Sequence, residues 1–491
     1  MTVADLVRGL PDVAVSGPGD GIVLSLAIDS RTAGPGTLFA ALPGARTDGA
    51  RFAADAVARG AVAVLGRGPR PADLPPHAAW IAADAPRKAL AALARRFFGA
   101  PDERLLVVGV TGTNGKTSTT HFLAGALERA GVPTAIGGTL GQRFGAVTSG
   151  PTLTTPEAPQ IFGFLAEAER AGARAAALEV SSAALVADRV AGLRFCAAIL
   201  TNIGHDHLDL HGTHAAYRAA KRALFEALDA SAAAVLPADD AHAGEFGRAA
   251  RGARRVTFGE SAGADWRVSD HRPSASGARF RLDGPGFSGE VSSPRSGAWD
   301  ARNIAAAVAA AVALGADPAA AVAGATAVPD VPGRFERVEA GQPFAAIVDF
   351  AHTPEALERV LELLRRVTKG RVIAVFGCGG ERDAAKREAM GRIAGRLADV
   401  VLVTDDNPRG EDPEAIAAAI LGGLAGTPAA AQRGAGRRAA IELAVAIARP
   451  EDAVLVAGKG HETTQETAGI FTPFDDREVL RAAIVAAGAR R

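Results

Sequence analysis

Cysteine is nearly missing from this chain: 491 residues contain two, Cys196 and Cys378. That number rules out a disulfide framework, and their spacing is not that of metal ligands. Each lies in or beside an apolar run, which predicts two buried small hydrophobes in a reducing compartment. Surplus charge is missing too. The 54 basic and 54 acidic residues give a formal net charge of +0, with no long basic run, so nucleic acid is not an expected partner. No apolar run is long enough to span a bilayer. The alanine-rich stretch from Ile304 to Val328 is interrupted by Gly315, Asp317 and Pro318, and it predicts two helices. Met1 to Val15 lack a basic segment followed by an apolar core, so no signal peptide is expected there. Together these absences predict a cytoplasmic protein with no membrane partner. The remaining composition, 48% hydrophobic and 22% charged, is that of a globular protein. The length implies about two to four domains.

The most informative segment is Val107 to Thr120, V-V-G-V-T-G-T-N-G-K-T-S-T-T. The apolar run Leu105 to Val110 predicts a buried strand. A glycine-rich turn follows, ending in Gly115-Lys116-Thr117, and an apolar-periodic helix then runs to Gly131. Such a strand–turn–helix can cradle phosphate. Glycines let backbone N–H groups close on phosphate oxygens, the helix N-terminus favours anions, Lys116 brings a cation and Thr117 can hold Mg²⁺. The spacing departs from the strict G-x-x-x-x-G-K-[ST] form, because Val110 stands at its first position and the glycines fall at 109, 112 and 115. The segment predicts a nucleoside triphosphate site.

Residues 1 to about 100 read as a small α/β unit, with a helix over Phe52 to Arg59, a strand over Ala61 to Leu65 and a proline-rich loop from Gly68 to Pro76. Pro101-Asp102-Glu103 marks a boundary. From there, strands Leu105–Val110, Ala175–Val180 and Phe195–Leu200 alternate with helical sequence and predict a largely parallel sheet covered on both faces. A second boundary falls near Pro329 to Gly333. Four more strands are predicted beyond it: Phe344–Val348, Val372–Phe376, Val400–Val403 and Ala453–Val456. Each runs into a polar cluster, beginning at Asp349, Gly377, Asp405 and Gly458 respectively. Ligands of open parallel sheets bind beyond the carboxyl ends of strands, so the four clusters predict one shared site.

Individual side chains carry less information. Glu179 ends an apolar strand, where a carboxylate needs a partner, either a basic side chain or a metal ion. The stretch Thr201 to His211 holds three of the ten histidines, without zinc-site spacing; His207 is its candidate ligand, with His205 and His211 read as satisfied loop residues. Lys221 lies in the helical stretch Ala215 to Leu228, and periodicity alone reads it as a solvated lysine. Thr353-Pro354-Glu355 is a helix start, Thr as cap and Pro at the first position, leaving Asp349 and His352 for ligand. Arg409 offers a planar fork suited to a carboxylate, or is an exposed loop arginine.

Taken together, these segments resemble the Mur ligases, ATP-dependent enzymes that add amino acids to the peptidoglycan precursor, over almost the whole chain. Gly112 to Thr117 is similar to the family's ATP loop. Asp29-Ser30-Arg31, with Pro35-Gly36 and Leu38-Phe39, resembles the uridine-nucleotide domain of its diaminopimelate-adding branch. Asp349 to Pro354 and Gly458 to Glu462 resemble its C-terminal signatures. The resemblance implies three α/β domains: a small UDP-muramyl substrate-binding domain over 1–102, a central P-loop ATPase-type domain with a mostly parallel sheet over 103–331, and a Rossmann-like amino-acid-binding domain over 332–491.

It implies roles as well. ATP would be bound by Gly112, Thr113, Asn114, Gly115, Lys116, Thr117 and Ser118, with Asn303, Arg334 and Asp349. Mg²⁺ would be held by Thr117, Glu179, His207 and a carbamylated Lys221; Lys116, Lys221, His207 and Glu179 would be catalytic. UDP-N-acetylmuramoyl-L-alanyl-D-glutamate would meet Ile28, Ser30, Thr154, Thr155, Ser181 and Arg189. Meso-diaminopimelate would meet Arg382, Asp406, Asn407, Pro408, Arg409, Gly458 and Glu462, the arginines taking its distal carboxylate and Glu462 its distal ammonium. A monomer is expected. Ala183 and Ala187 depart from the His and Gln usual in this branch, and Gly204-His205 from Thr or Ser followed by Arg. These departures fall on the muramyl side and leave the ATP and amino-acid motifs intact. A lysine-adding ligase of the same fold and a non-catalytic nucleotide-dependent binding protein are the alternatives. A folate or cyanophycin ligase fits the ATP loop but not Asp29-Ser30-Arg31 or Asn407-Pro408-Arg409.

Overall fold

The computed structural model describes residues 1–44, 47–150, 153–204 and 208–488. The chain divides into two compact units, residues 1–266 with 305–325, and residues 267–304 with 326–491.

The first unit holds two sheets. The N-terminal sheet has five strands in the order Val13–Ser16, Ala79–Ala83, Ala61–Gly66, Thr37–Ala40, Ser25–Ala27, parallel except for the first. Both faces are buried, because successive residues of one strand enter opposite cores: Leu38 and Ala40 one, Phe39 and Ala41 the other. The second sheet has Leu106–Thr111 at its centre, between Ala197–Leu200 and Ala175–Glu179. Ala233–Pro237 and Arg254–Gly259 extend it on one side and Thr134–Gly138 on the other, all parallel. The short strands Gly141–Phe144 and Val147–Ser149 close that edge as an antiparallel meander. The register sets Glu179 beside Val110 and Leu200 beside Thr111. The ends of three strands therefore share one edge of the sheet, and the phosphate loop leaves from the middle one.

The second unit contains the antiparallel strands Gly277–Gly284 and Phe287–Ser293 beside Trp266–Ser274. Its main sheet has six strands, in the order Glu336–Arg337, Ala345–Asp349, Ala453–Ala457, Val372–Phe376, Val400–Val403, Ala430–Arg433, parallel apart from the first. The helix Pro354–Val367 begins as its sequence requires: Thr353 Oγ1 accepts from Ala356 N at 3.3 Å and Pro354 takes the first turn. Its Leu357, Val360, Leu361 and Leu364, spaced three and four apart, are buried on the sheet.

The alanine-rich stretch forms two helices, Ala298–Ala313 and Pro318–Thr326, separated at Gly315 and Asp317 as expected, though the first starts six residues earlier than the apolar run. Among the described residues no helix is long and apolar enough to cross a membrane. Cys378 is buried, and burial pushes its thiol up to about 12. Cys196 corrects the expectation that both thiols are enclosed: it precedes strand Ala197–Leu200 and is only partly covered.

Candidate active site

In the first unit the loop after Thr111 is fixed from outside. Gly112 has φ +145°, and a Cβ there would lie 1.9 Å from Thr201 Oγ1; Gly115, at φ +88°, opens the helix Lys116–Arg129. Both positions need glycine, Gly112 for space as well as conformation. The segment after Ala197–Leu200 holds the loop. Thr201 Oγ1 and Asn202 Nδ2 donate to Asn114 O at 2.6 and 2.9 Å, while Thr113 N donates to Asn202 O at 2.9 Å. Thr117 and Ser118 are buried in the first helical turn. Lys116 Nζ donates to Gly112 O and Thr113 O, at 2.9 and 3.0 Å. Lys221 Nζ reaches the same Gly112 O at 2.8 Å, over the Tyr217 ring. Lys221 is 1% exposed, which overturns the solvated-lysine reading. Periodicity sees only a helix's own sequence, and here Gly112 O of a distant loop meets the Lys221 ammonium.

Glu179 is 2% exposed. Its carboxylate accepts from Thr139 N at 2.8 Å and Thr139 Oγ1 at 3.0 Å, so a hydroxyl and an amide face it, and a Cβ on Gly138 would come within 2.1 Å of Oε1. Around it stand four of the residues expected on the muramyl side. Thr154 Oγ1 lies 3.2 Å from Thr139 Oγ1, Thr155 Oγ1 donates to Glu179 O at 2.9 Å, and Ser181 N donates to Thr155 Oγ1 at 3.0 Å. Arg189 Nη1 donates to Thr155 O at 3.1 Å. Glu157 escaped sequence reasoning: it is buried, accepts from Arg189 Nε at 3.2 Å and pairs with Arg87 at 2.6 Å. Those partners lie 32 and 70 residues away, so no local pattern announces them. Ile28 and Ser30 follow the edge strand Ser25–Ala27, whose Leu26 packs against the core containing Leu178, Val180 and Val190. Asp29 caps the short helix Ser30–Thr32, and hydrogen bonds from Arg31 hold its carboxyl down at about 2. His205, Asp206 and the candidate ligand His207 lie outside the described residues. His211 Nε2 is 3.0 Å from Ser182 Oγ, so its ring is satisfied as expected, but it ends the short helix Leu208–His211 and is not a loop residue.

In the second unit, Asn303 is buried on helix Ala298–Ala313. The Asp349 carboxylate accepts from Phe335 N at 2.6 Å and Ala351 N at 2.7 Å. Burial raises its pKa, opposed by the Arg334 guanidinium, which lies 4.5 Å over the Phe350 ring. Asp300, one turn before Asn303, is fully buried 3.7 Å from Arg295; burial pushes its carboxyl up to about 6, against the pull of Arg295.

The four polar clusters at the carboxyl ends of the main sheet do meet. Gly458 N donates to Asp349 O at 3.1 Å, Gly380 N to Asn407 O at 2.9 Å, and Lys386 Nζ to His352 O at 2.9 Å. Asn407 Nδ2 donates to Glu462 Oε2 at 2.8 Å. Gly458, at φ +114°, leaves room for Asp406, whose Oδ2 would sit 2.4 Å from an added Cβ. Arg409, at φ +54°, donates from Nη1 to Gly380 O at 2.7 Å and pairs through Nε with Glu466 at 3.3 Å. It is therefore an anchored arginine, and the exposed-loop alternative falls. Arg382 is exposed at the rim; its Cγ and Arg409 Nη1 both approach Gly379. Sequence reasoning gave no role to Lys459, Glu466 or the pair Arg437–Asp476. That pair is fully buried at 2.6 Å, and Arg437 also donates to Asp405 O and Ala457 O. Burial presses the Glu462 carboxyl upward, yet Lys459 and Asn407 outweigh it and keep the pKa below the ordinary value.

A glycine turn between a central strand and a helix in one unit, and clustered charges at strand ends in the other, suit an ATP-using ligase, and the comparisons agree. Family models described as Mur ligase family, catalytic domain, as Mur ligase middle domain, and as Mur ligase, glutamate ligase domain match residues 23–98, 110–311 and 333–460. The chain belongs to the Mur ligase family, a class of ATP-dependent ligases. It is 43% identical over 461 residues to the UDP-N-acetylmuramoyl-L-alanyl-D-glutamate–2,6-diaminopimelate ligase of Solibacter usitatus, covering 94% of this chain and 93% of that one. It is 42% identical over 497 residues to the Streptomyces coelicolor protein of the same name, covering 98% and 96%. A solved structure of a ligase of that name superposes with a TM-score of 0.70 at 32% identity, over 99% of both chains.

Proposed function

We propose that this chain joins meso-2,6-diaminopimelate to the D-glutamate γ-carboxylate of UDP-N-acetylmuramoyl-L-alanyl-D-glutamate, with conversion of ATP to ADP and phosphate. The γ-phosphoryl group passes to a carboxylate oxygen, giving an acyl phosphate. The amine nitrogen then attacks the carbonyl carbon, an N–H proton is lost, and the carbon–oxygen bond to phosphate breaks. Residues 1–102 take the uridine nucleotide, 103–331 the ATP, and 332–491 the amino acid. The protein works in the cytoplasm as a monomer, without nucleic acid or membrane.

Lys116 and the loop amides from Gly112 to Ser118 hold the phosphates and offset charge on the transferring group. Asn303, Arg334 and Asp349 serve the rest of the nucleotide. Ile28, Ser30, Thr154, Thr155, Ser181 and Arg189 hold the muramyl substrate. The donors fit magnesium: Glu179 is a buried carboxylate met by one threonine, and Thr117 is buried in the first turn of the helix Lys116–Arg129, which packs on Glu179's strand. Mg²⁺ held by Thr117, Glu179, His207 and Lys221 would neutralise phosphate charge. Two ammonium groups converging on Gly112 O favour deprotonation of one of them, Lys221, whose amine then takes up CO₂ and loses a second proton to give an anionic carbamate, replacing a like-charge contact with an opposite-charge one.

The observation that carries the choice of amino acid is the convergence of Asn407 on Glu462, from strands on either side of Val372–Phe376, with Arg409 anchored on Gly380 beyond that middle strand. Diaminopimelate differs from lysine by a distal carboxylate beside its ammonium, and a pocket holding fixed groups of both signs discriminates strongly against an analogue lacking one of them. Phosphate release with the muramyl-dipeptide nucleotide tests this reading. Diaminopimelate should stimulate it at least about 100-fold more than lysine at equal concentration. Equal stimulation by lysine would make this a lysine-adding enzyme. No release with either would revive the non-catalytic reading.

A further inference from the structure

Lys459 follows the strand Ala453–Ala457 and is 0% exposed. An ammonium has three N–H donors and no acceptor. Three acceptors meet this one: Asn407 Oδ1 at 3.0 Å, Glu462 Oε2 at 2.9 Å and Thr464 O at 2.6 Å. Because the lysine only donates, the oxygen end of the Asn407 amide has to face it. Glu466 N donates to the same Oδ1 at 3.0 Å, so the Asn407 amide has one orientation, with Nδ2 directed at Glu462 Oε2. Glu462 thus receives two donors on Oε2, and its Oε1 takes no hydrogen bond among the described residues. The same arrangement reaches Arg409: Glu466, whose amide is fixed by Asn407, pairs with Arg409 Nε at 3.3 Å.

We propose that Lys459 is a positioning residue for amino-acid selectivity: a buried ammonium that locks Asn407 and turns one oxygen of Glu462 outward to receive the distal ammonium of a zwitterionic side chain. Lys459 itself touches no substrate. This inference rests on the assignment of Arg409 and Glu462 to the amino acid. With Lys459 replaced by an apolar residue, Glu466 N would still hold Asn407 Oδ1, but Glu462 Oε2 would keep one donor instead of two and the outward oxygen would lose its fixed direction. The ATP loop belongs to the other unit and should be untouched.

The test is steady-state kinetics on the full chain with saturating muramyl-dipeptide nucleotide, using wild type, Lys459→Met, Glu462→Gln and the double variant. Lys459→Met should raise KM for diaminopimelate about 10- to 100-fold, with KM for ATP within about twofold of wild type. In the Glu462→Gln background the same change should move KM for diaminopimelate by less than about threefold, because residues acting through one another are non-additive. An equal factor in both backgrounds would mark a merely structural lysine and overturn the inference, as would an unaltered KM in the single variant. If Lys459→Met does not fold, Lys459→Gln, which keeps a donor without charge, takes its place in the same cycle; failure of both to fold, with Glu462 intact or replaced, also overturns it. The underlying assignment fails separately, if wild type consumes no diaminopimelate.

Discussion

The two units seat the lysines of their candidate sites differently. In the first unit, Lys116 and Lys221 both donate to Gly112 O, cation beside cation on a loop stapled by Thr201 and Asn202. In the second unit, cations stand against anions: Lys459 against Glu462, Arg409 against Glu466, Arg437 against Asp476. Lysines seated on a loop's backbone oxygens, where the proposed ligand is a polyanion, should on replacement change binding and turnover. A site of paired charges is completed by itself, so changes there should fall on stability and selectivity. Phosphate suits the first arrangement, being polyanionic. A zwitterionic amino acid suits the second, since fixed groups of both signs read its charges without waiting for it.

The largest expected effect is at the loop. Lys116→Ala should lower kcat for ATP-dependent phosphate release by about 10³-fold or more, while the melting temperature stays close to wild type. A large melting shift instead would break the proposed contrast. Next comes the buried pair. Arg437→Leu leaves Asp476 charged and enclosed and should cost about 3–5 kcal/mol, read as a lowered melting temperature. Arg437→Leu with Asp476→Leu should recover most of that loss. Third, Arg409→Ala should raise KM for diaminopimelate by about 30- to 100-fold and leave KM for ATP unchanged.

The smallest effect concerns pH. The Asp300 carboxyl titrates near 4 in an unfolded chain and about 6 in the fold, because burial disfavours its charge. Its contribution to stability is therefore complete below about pH 4 and lost as pH rises through about 6. Asp300→Asn should remove that dependence and, at pH 8, stabilise the protein by about 3 kcal/mol. Melting curves of both proteins at pH 5 and pH 8 check it: the gap between them should open at the higher pH. A constant gap would contradict the assignment.

Much of the framework was legible because local sequence dictates it. A strand, a glycine turn and a helix are enough to place the glycine loop, and strands ending in polar clusters are enough to show that those clusters meet. Thr353 and Pro354 mark their helix start for the same reason. What escaped was long-range. Lys221 looked solvated because nothing in its own helix tells of a loop 109 residues earlier lying over it. The Arg437–Asp476 pair spans 39 residues and the Glu157–Arg87 pair 70, distances at which charge pattern carries no signal. Lys459 sat within a recognised motif, but its role depends on Asn407, 52 residues away.

Activation of the carboxylate is the claim on which the rest depends, and oxygen transfer measures it most directly. With ¹⁸O in the D-glutamate γ-carboxylate and diaminopimelate as acceptor, one labelled oxygen should appear in each phosphate released, matched by one new amide bond. Phosphate free of label, or label transfer without diaminopimelate in the product, would contradict the account.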